Sequence, residues 1–261
     1  MLRTLQLLSI IGGLLLFCGI CPASLVIPFE YRDGLIWIKV KTQQSDEPLN
    51  FVLDSGAGSS VLDLATARKL NVKLDTRERV QCVGAVMSAW RVDGFSAKVG
   101  GIAIQDNPLA LDLSETSEQC SRRIDGLLGH DFFRDRIVQI DFKARCIRLL
   151  NEADDRNSCA VVSMKVRRGA MCVPVSVNGL PPRWTRLDTG CDDGLRWVQK
   201  GGRGYVRASL QVGQEDISNV QIALHHTEIF LSEAGLLGNG VLANYRVTID
   251  AVKKRLLLEK S

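Results

Sequence analysis

Two short loops of the sequence each carry an aspartate followed by a hydroxyl residue and a glycine. They read Asp54-Ser55-Gly56 and Asp188-Thr189-Gly190, and a leucine precedes each. A tight loop can present the carboxylate, and the hydroxyl can hydrogen-bond across a pair of such loops. Two close carboxylates cannot both ionise cheaply, so they share one proton. One then serves as a general base toward water while the other, protonated, polarises a carbonyl, and this chemistry needs no metal or cofactor.

The two loops belong to an internal repeat of the chain. Gly126 to Leu150 aligns without gaps with Gly235 to Glu259, and both segments begin with Gly-Leu-Leu-Gly. Ordered similarities of this kind in both halves indicate a duplicated lobe. We predict a first lobe over 25–152, a polar linker over 153–158 and a second lobe over 159–261. A pseudo-twofold axis between the lobes would bring the two aspartates together.

The elements that must position these loops are mostly short strands. Many short strands separated by glycine turns favour a β-barrel or sandwich over a βαβ sheet. Ser60 is predicted to cap a helix over Val61 to Leu70. Two hairpins recur at matching places in the repeat: Ile137–Asp141 with Cys146–Leu150, and Arg246–Asp250 with Arg255–Glu259.

The lobes differ in the stretch that follows each aspartate loop. The first lobe carries an additional segment there, including Val80 to Val92 around Gly84, whereas the second has little beyond a glycine-rich turn. We therefore expect a long projecting hairpin in the first lobe alone.

Leu53-Asp54-Ser55-Gly56-Ala57 and Leu187-Asp188-Thr189-Gly190, each followed by Gly-Leu-Leu-Gly, resemble the retropepsin-like aspartic proteases. The resemblance covers nearly all of the chain after the N-terminal segment. It implies an all-β fold of two pseudo-symmetric β-barrel lobes with short helices, fused in one chain as in pepsins. In that family the apolar-Gly segment, here Leu127 to Gly129 and Leu236 to Gly238, threads beneath the catalytic loop.

The same resemblance implies roles for individual residues. Asp54 and Asp188 would be the catalytic pair. Support of the catalytic loops would come from Ser55, Gly56, Thr189 and Gly190. A flap that contacts substrate would include Val83, Gly84, Ala85 and Val86. The implied protein is a monomeric aspartic endopeptidase acting on polypeptides.

A catalytically inactive binding or scaffold protein with the same fold is the alternative. Asp192 and Asp193 make the second loop more acidic than is usual in the family, and the strand from Trp184 to Leu187 is less apolar than its counterpart. Ala57 and Cys191 stand where pepsin-like enzymes typically have a serine or threonine that donates to the catalytic carboxylate. An active enzyme is therefore expected to work nearer neutral pH than a digestive acid protease.

The N-terminal segment, residues 1–24, is predicted to be a secretory signal peptide cut after Ala23, with an uncleaved anchor as the alternative. Arg3 precedes a stretch, Thr4 to Phe29, that contains no charged residue. In both cases the rest of the chain is expected to be extracytoplasmic, and membrane contact is expected only through this segment.

Composition and charge exclude other classes of protein. The 261 residues are 46% hydrophobic and 24% charged, as in a folded globular chain. The net charge of +4 without a basic run gives no nucleic-acid surface, and three histidines disfavour a multi-histidine metal site. The cysteines beyond the N-terminal segment could form three disulfides or remain buried thiols.

Overall fold

The computed structural model describes residues 25–104, 108–154 and 159–260 of the chain. The expected signal peptide or anchor, residues 1–24, and residues 155–158 of the expected linker lie outside the described residues. The lobe boundaries therefore stay a prediction. None of the helices within the described ranges is both long and apolar enough to cross a membrane.

The described residues form short strands with four short helices between them. In the first half the elements are β1 (Leu25–Pro28), β2 (Glu30–Arg32), β3 (Leu35–Thr42), β4 (Ser45–Leu53), β5 (Val61–Asp63), α1 (Leu64–Lys69), β6 (Lys73–Cys82), β7 (Ala85–Asp93), β8 (Ala97–Val99), β9 (Ile102–Ala103), β10 (Leu109–Leu111), α2 (Ser114–Gln119), β11 (Gly126–Leu128), α3 (His130–Phe133), β12 (Ile137–Asp141) and β13 (Cys146–Leu150). In the second half they are β14 (Cys159–Ser163), β15 (Lys165–Arg167), β16 (Ala170–Val177), β17 (Arg183–Leu187), β18 (Leu195–Val198), β19 (Gly204–Val212), β20 (Glu215–His225), β21 (Gly235–Leu237), α4 (Asn239–Leu242), β22 (Tyr245–Asp250) and β23 (Arg255–Lys260).

The strands assemble into three sheets, one in each lobe and one between the lobes. The first-lobe sheet has ten strands, in the order β6-β7-β10-β5-β11-β4-β3-β8-β9 with β2 paired to β3. The second-lobe sheet runs β15-β16-β17-β21-β18-β20-β19, and a further pairing of β16 with β19 closes six of its strands into a barrel. The predicted all-β fold of two similar lobes with short helices is confirmed.

The third sheet joins the lobes in the order β1-β13-β12-β22-β23-β14. Both predicted hairpins are present in it. At its centre β12 and β22 run antiparallel with Gln139 opposite Thr248, and the Gln139 amide donates to the Thr248 hydroxyl at 3.2 Å. These two residues hold the same position in the sequence repeat. The pseudo-twofold axis therefore passes between them.

The Gly-Leu-Leu segments thread between two strands in each lobe. Leu127 of β11 lies parallel to Val52 on one side and antiparallel to Val61 on the other. Leu236 of β21 has the equivalent neighbours, Arg186 and Arg196. Each aspartate loop therefore follows a strand that is buried within its sheet rather than at an edge.

The prediction of a helix over 61–70 is wrong for its first three residues, which form strand β5. Val61 and Leu62 are in strand β5, because their side chains fill the buried interior while their backbone pairs with β10 and β11. The helix α1 begins only at Leu64, and its cap is Asp63, whose carboxylate accepts from the Thr66 backbone amide. The hydroxyl of Ser60 instead donates to Asp131 at the start of α3.

The expected long hairpin of the first lobe is present. The second lobe also has a long hairpin, β19 with β20, but β19 pairs with β16 as well and so belongs to the barrel. Strands β6 and β7 pair over almost their whole length and turn at Val83-Gly84, where Gly84 has a φ of 75°. A left-handed φ of this kind favours glycine in a two-residue turn. The base of β7 pairs with β10, which anchors the hairpin in the first-lobe sheet.

The cysteines outside the N-terminal segment do not form the three disulfides considered from the sequence. Free thiols are found at Cys82, Cys120, Cys146, Cys172 and Cys191. Of these, Cys146, Cys172 and Cys191 are buried, where a thiol behaves as a small apolar side chain.

Candidate active site

Each aspartate of the repeat stands at the end of a buried strand and begins the same tight turn. Leu53 and Leu187, which precede the aspartates, are completely buried in the main hydrophobic core. Burial of a leucine contributes about 1.5–3 kcal/mol. The backbone amide of Asp54 donates to the carbonyl of Leu128 in β11 at 2.9 Å, and Asp188 makes the equivalent bond to β21 at 3.0 Å. Core packing and the threaded strand therefore fix the start of both loops.

The hydroxyl residues of the two loops interlock across the lobes. The Ser55 hydroxyl accepts from the Thr189 amide at 3.0 Å and donates to the Leu187 carbonyl at 2.8 Å. The Thr189 hydroxyl accepts from the Ser55 amide at 2.9 Å and donates to the Leu53 carbonyl at 2.8 Å. Both hydroxyl residues are completely buried. These four bonds hold the two loops in one fixed relation.

The glycines of the two loops leave space for the carboxyl group of the opposite loop. A Cβ atom on Gly56 would lie 2.5 Å from the Asp188 carboxyl carbon, and one on Gly190 would lie 2.6 Å from the Asp54 carboxyl carbon. Real side chains do not approach so closely, so any larger residue would push the carboxyl groups out of place. The structure thus brings all six predicted loop residues together, with each carboxyl group seated against the glycine of the opposite loop.

The surroundings of the pair favour its protonated form. Burial raises the pKa of Asp54. The Ala57 amide donates a hydrogen bond to its carboxylate at 2.8 Å, which acts in the opposite direction and lowers the pKa. Burial and then the charge of Asp54 raise the pKa of Asp188 well above its usual value. The Asp188 carboxylate accepts a hydrogen bond from the Gly190 amide at 2.9 Å. Two interacting carboxyls in this setting hold one proton between them over a range of pH.

The additional acidic residues of the second loop are bound to an arginine. The guanidinium of Arg196 donates to Asp193 at 2.7 Å and lies 3.5 Å from Asp192. The Cβ position of Gly34 lies 2.6 Å from the Cβ of Asp192, so the turn between β2 and β3 packs on this loop. Cys191, Asp192 and Asp193 place three potential metal ligands within 4.8 Å of one another, but Arg196 already occupies the carboxylates. This cluster is an ion pair beside the site.

Sequence reasoning missed a buried ion pair beneath the second loop. Arg186, two residues before Asp188, donates to both carboxylate oxygens of Glu233 at 2.7 Å. Its remaining terminal nitrogen donates to the Gly56 carbonyl of the opposite loop at 2.8 Å. The only sequence signal was an arginine in a strand that is apolar in the other lobe.

The tip of the hairpin formed by β6 and β7 approaches the carboxyl pair. The pKa of Cys82 is raised by burial and then by the charge of Asp54, so this end of β6 lies within electrostatic range of the pair. Val83 and Val86 beside the turn are 45% and 51% exposed. The four predicted flap residues therefore lie at the free end of this hairpin.

Comparison with known proteins agrees with the resemblance found in the sequence. Residues 38–132 match the family model described as aspartyl protease. The crystal structure of an aspartic proteinase from Irpex lacteus superposes with a TM-score of 0.59 at 10% sequence identity, covering 92% of this chain and 98% of that chain. No curated protein matches the sequence. The resemblance to aspartic proteases is therefore confirmed by the family model over residues 38–132 and by the fold.

Proposed function

We propose that this chain, which has the aspartic-protease fold, is an exported aspartic endopeptidase with Asp54 and Asp188 as its catalytic pair. The single observation that carries the proposal is the seating of each carboxyl group against the glycine of the opposite loop, in two loops that reciprocal hydrogen bonds interlock. The polypeptide substrate would lie between the pair and the hairpin of β6 and β7.

The proposed mechanism uses one proton shared by the pair. Burial raises the pKa of both carboxyls, so the pair holds the proton jointly in the resting state. The ionised carboxyl removes a proton from water, whose oxygen attacks the peptide carbonyl, while the protonated carboxyl donates its proton to the developing oxyanion. The C–N bond of the tetrahedral intermediate then breaks. The carboxyl that took the proton from water passes it to the leaving amine, and the other carboxylate takes a proton back from a hydroxyl of the intermediate, which restores the shared proton.

The hairpin tip serves as the flap in this proposal. Val83, Gly84, Ala85 and Val86 would contact the substrate and exclude water from the carboxyl pair, which strengthens electrostatic interactions in the site. Because one chain supplies both aspartates, we propose that the monomer is the active species.

The free-energy cost of burying two carboxyl groups side by side argues against an inactive scaffold. Burial of two adjacent carboxyl groups disfavours the folded state as soon as they must ionise. A binding protein would gain from apolar residues at these positions. Retention of both aspartates and of the glycines that accommodate them supports catalysis.

The experiment is a digest of a diverse peptide library by the purified chain lacking residues 1–24, from acidic to neutral pH. We expect internal cleavage and its inhibition by a statine-type transition-state analogue. Folded protein that neither cleaves any peptide nor binds the analogue would favour the scaffold instead.

A further inference from the structure

The ion pair beneath the second loop has an apolar counterpart in the first lobe. Arg186 lies beside Leu236 in the sheet, as Val52 lies beside Leu127. The repeat aligns those two leucines, so Arg186 corresponds to Val52. The side chain of Val52 is buried in an apolar cluster.

Glu233 likewise replaces a buried isoleucine. The residue after it, Ala234, donates its amide to Trp184, and in the first lobe the residue after Ile124 makes the equivalent bond to the strand before Asp54. Ile124 is therefore the counterpart of Glu233, and it packs in the same cluster as Val52. The first lobe thus has apolar side chains at both positions of the ion pair.

The burial of this ion pair is nearly complete. The Arg186 and Glu233 side chains are 7% and 1% exposed. The Phe230 ring covers the guanidinium, with its centroid 3.4 Å from the guanidinium carbon. Replacing such a pair by apolar residues is often neutral or stabilising, so stability alone does not explain its presence.

The position of the third donor of Arg186 suggests a role in the site. It reaches the carbonyl of Gly56, the residue whose missing side chain accommodates Asp188. One guanidinium therefore connects Glu233, the strand that leads to Asp188 and the loop that carries Asp54. We propose that Arg186, held by Glu233, is a positioning residue of the carboxyl pair: it fixes the Asp54 loop and supplies the positive charge that keeps one carboxyl ionised. This inference rests on the proposed catalytic pair.

The other groups that face the pair do not supply such a charge. Ala57 and Cys191 stand beside the carboxyls without a hydroxyl donor, and Cys191 is a buried thiol whose pKa is raised by burial and by Asp188. Cys82 of the hairpin also has a raised pKa. Cys172, beside Arg186 on β16, is held as a thiol by burial and by Glu233, which raise its pKa to about 12.

Arg186 acts on both carboxyls in the same direction. Its charge lowers the pKa of Asp54 and the pKa of Asp188, against the effect of burial. Removal of the arginine charge should raise the pKa values of the pair. The acid limb of the activity profile, where the pair first loses a proton, should then move to higher pH.

The test replaces the ion pair by the residues that the first lobe uses, Arg186→Val with Glu233→Ile. We expect a folded protein whose acid limb of kcat/KM lies about half a pH unit to one unit higher. Arg186→Lys keeps the positive charge but loses the bidentate pairing with Glu233. The acid limb of this variant should therefore stay at the parent pH while its kcat falls. A double variant with the parent acid limb and kcat would overturn the proposal.

Glu233→Gln tests the role of the Arg186 charge through a shift of the acid limb in the opposite direction. It leaves the arginine charge less compensated, so the acid limb should move to lower pH. If the double variant fails to fold, this variant decides alone: an unchanged limb, or a shift to higher pH, contradicts the proposal.

Titration without substrate separates this inference from the proposed function. Carbon-13 NMR of aspartate-labelled protein follows the carboxyls of Asp54 and Asp188 whether or not any peptide is cleaved. Absence of cleavage with an upward shift of these titrations in the double variant would refute the endopeptidase and support the role of Arg186. Cleavage by the parent, with no shift of these titrations in the double variant, would support the endopeptidase and refute the role of Arg186.

Discussion

Ser55 and Thr189 each donate a backbone amide to the hydroxyl of the other, although they lie in opposite lobes. Each hydroxyl also donates to a carbonyl of the opposite strand, so the two loops are held by reciprocal bonds in a dry interior. The relation between the two aspartates is therefore set by their neighbours, before any substrate is present.

The first prediction concerns Thr189→Val, which keeps the side-chain volume and removes the hydroxyl. Each buried partner left without a hydrogen bond costs about 1–3 kcal/mol, so denaturant unfolding should show a loss of at least that size. Thr189→Ser is the matched control because it keeps the hydroxyl. Equal stability of the two variants would show that the interlocking bonds do not hold the loops.

The second prediction concerns Gly56→Ala. The new methyl group would overlap the Asp188 carboxyl, and a displacement of about 1 Å in a catalytic group can reduce the rate about a hundredfold. We expect a loss of that order in kcat/KM for peptide cleavage. Gly58→Ala is the control, since its Cβ would meet only the Arg168 carbonyl at 3.7 Å. Similar activity of both variants would contradict the close approach of the carboxyls.

The features behind these two predictions could be recognised from the internal repeat of the sequence. The two loops, the interlocking hydroxyls and the paired hairpins could be predicted because both halves of the chain share them. A feature present in both lobes is visible in a comparison of the halves. The threading of Leu127 to Gly129 and of Leu236 to Gly238 was predicted from the family resemblance instead, and the pairing of both segments with the strands before the aspartates agrees with it.

Features that belong to one lobe alone were harder to predict. The pairing of Arg186 with Glu233 was missed because the partners are distant in sequence and their first-lobe counterparts are apolar. The start of α1 was misplaced because Val61 and Leu62 fit the apolar side of a helix, yet the threaded β11 and the neighbouring β10 provide backbone partners for a strand. Both are tertiary effects that a local pattern does not contain.

The third prediction concerns the flap. Val83→Asp with Val86→Asp places charges on two exposed residues at the hairpin tip, so thermal stability should change little while substrate contact is lost. We expect kcat/KM to fall roughly tenfold, mainly through KM. Val252→Asp, on a valine that is more exposed still and lies in the turn between β22 and β23, should leave turnover unchanged. Unchanged turnover in the tip variant would refute the flap assignment.

The fourth prediction concerns the pH dependence of activity. Ala57→Ser adds a hydroxyl beside Asp54, whose carboxylate already accepts the amide of residue 57. A donor to the ionised form lowers the pKa of the carboxyl pair, so both limbs of the profile should move toward acid. The measurement is kcat/KM against pH for parent and variant, with Ala57→Val as the control that adds bulk without a donor. A profile that stays in place, or that moves equally in both variants, would show that no donor is missing there.

The most direct test of the account compares Asp54→Asn, Asp188→Asn and Asp192→Asn in peptide cleavage at the pH optimum of the parent. Asn keeps the shape of the side chain but holds no exchangeable carboxyl proton, so either of the first two changes abolishes proton sharing. We expect each to lower kcat/KM by roughly 10³-fold or more, while Asp192→Asn, on an exposed carboxylate paired with Arg196, keeps nearly the parent rate. Parent-like cleavage by either Asp54→Asn or Asp188→Asn in a folded monomer would contradict the shared-proton pair.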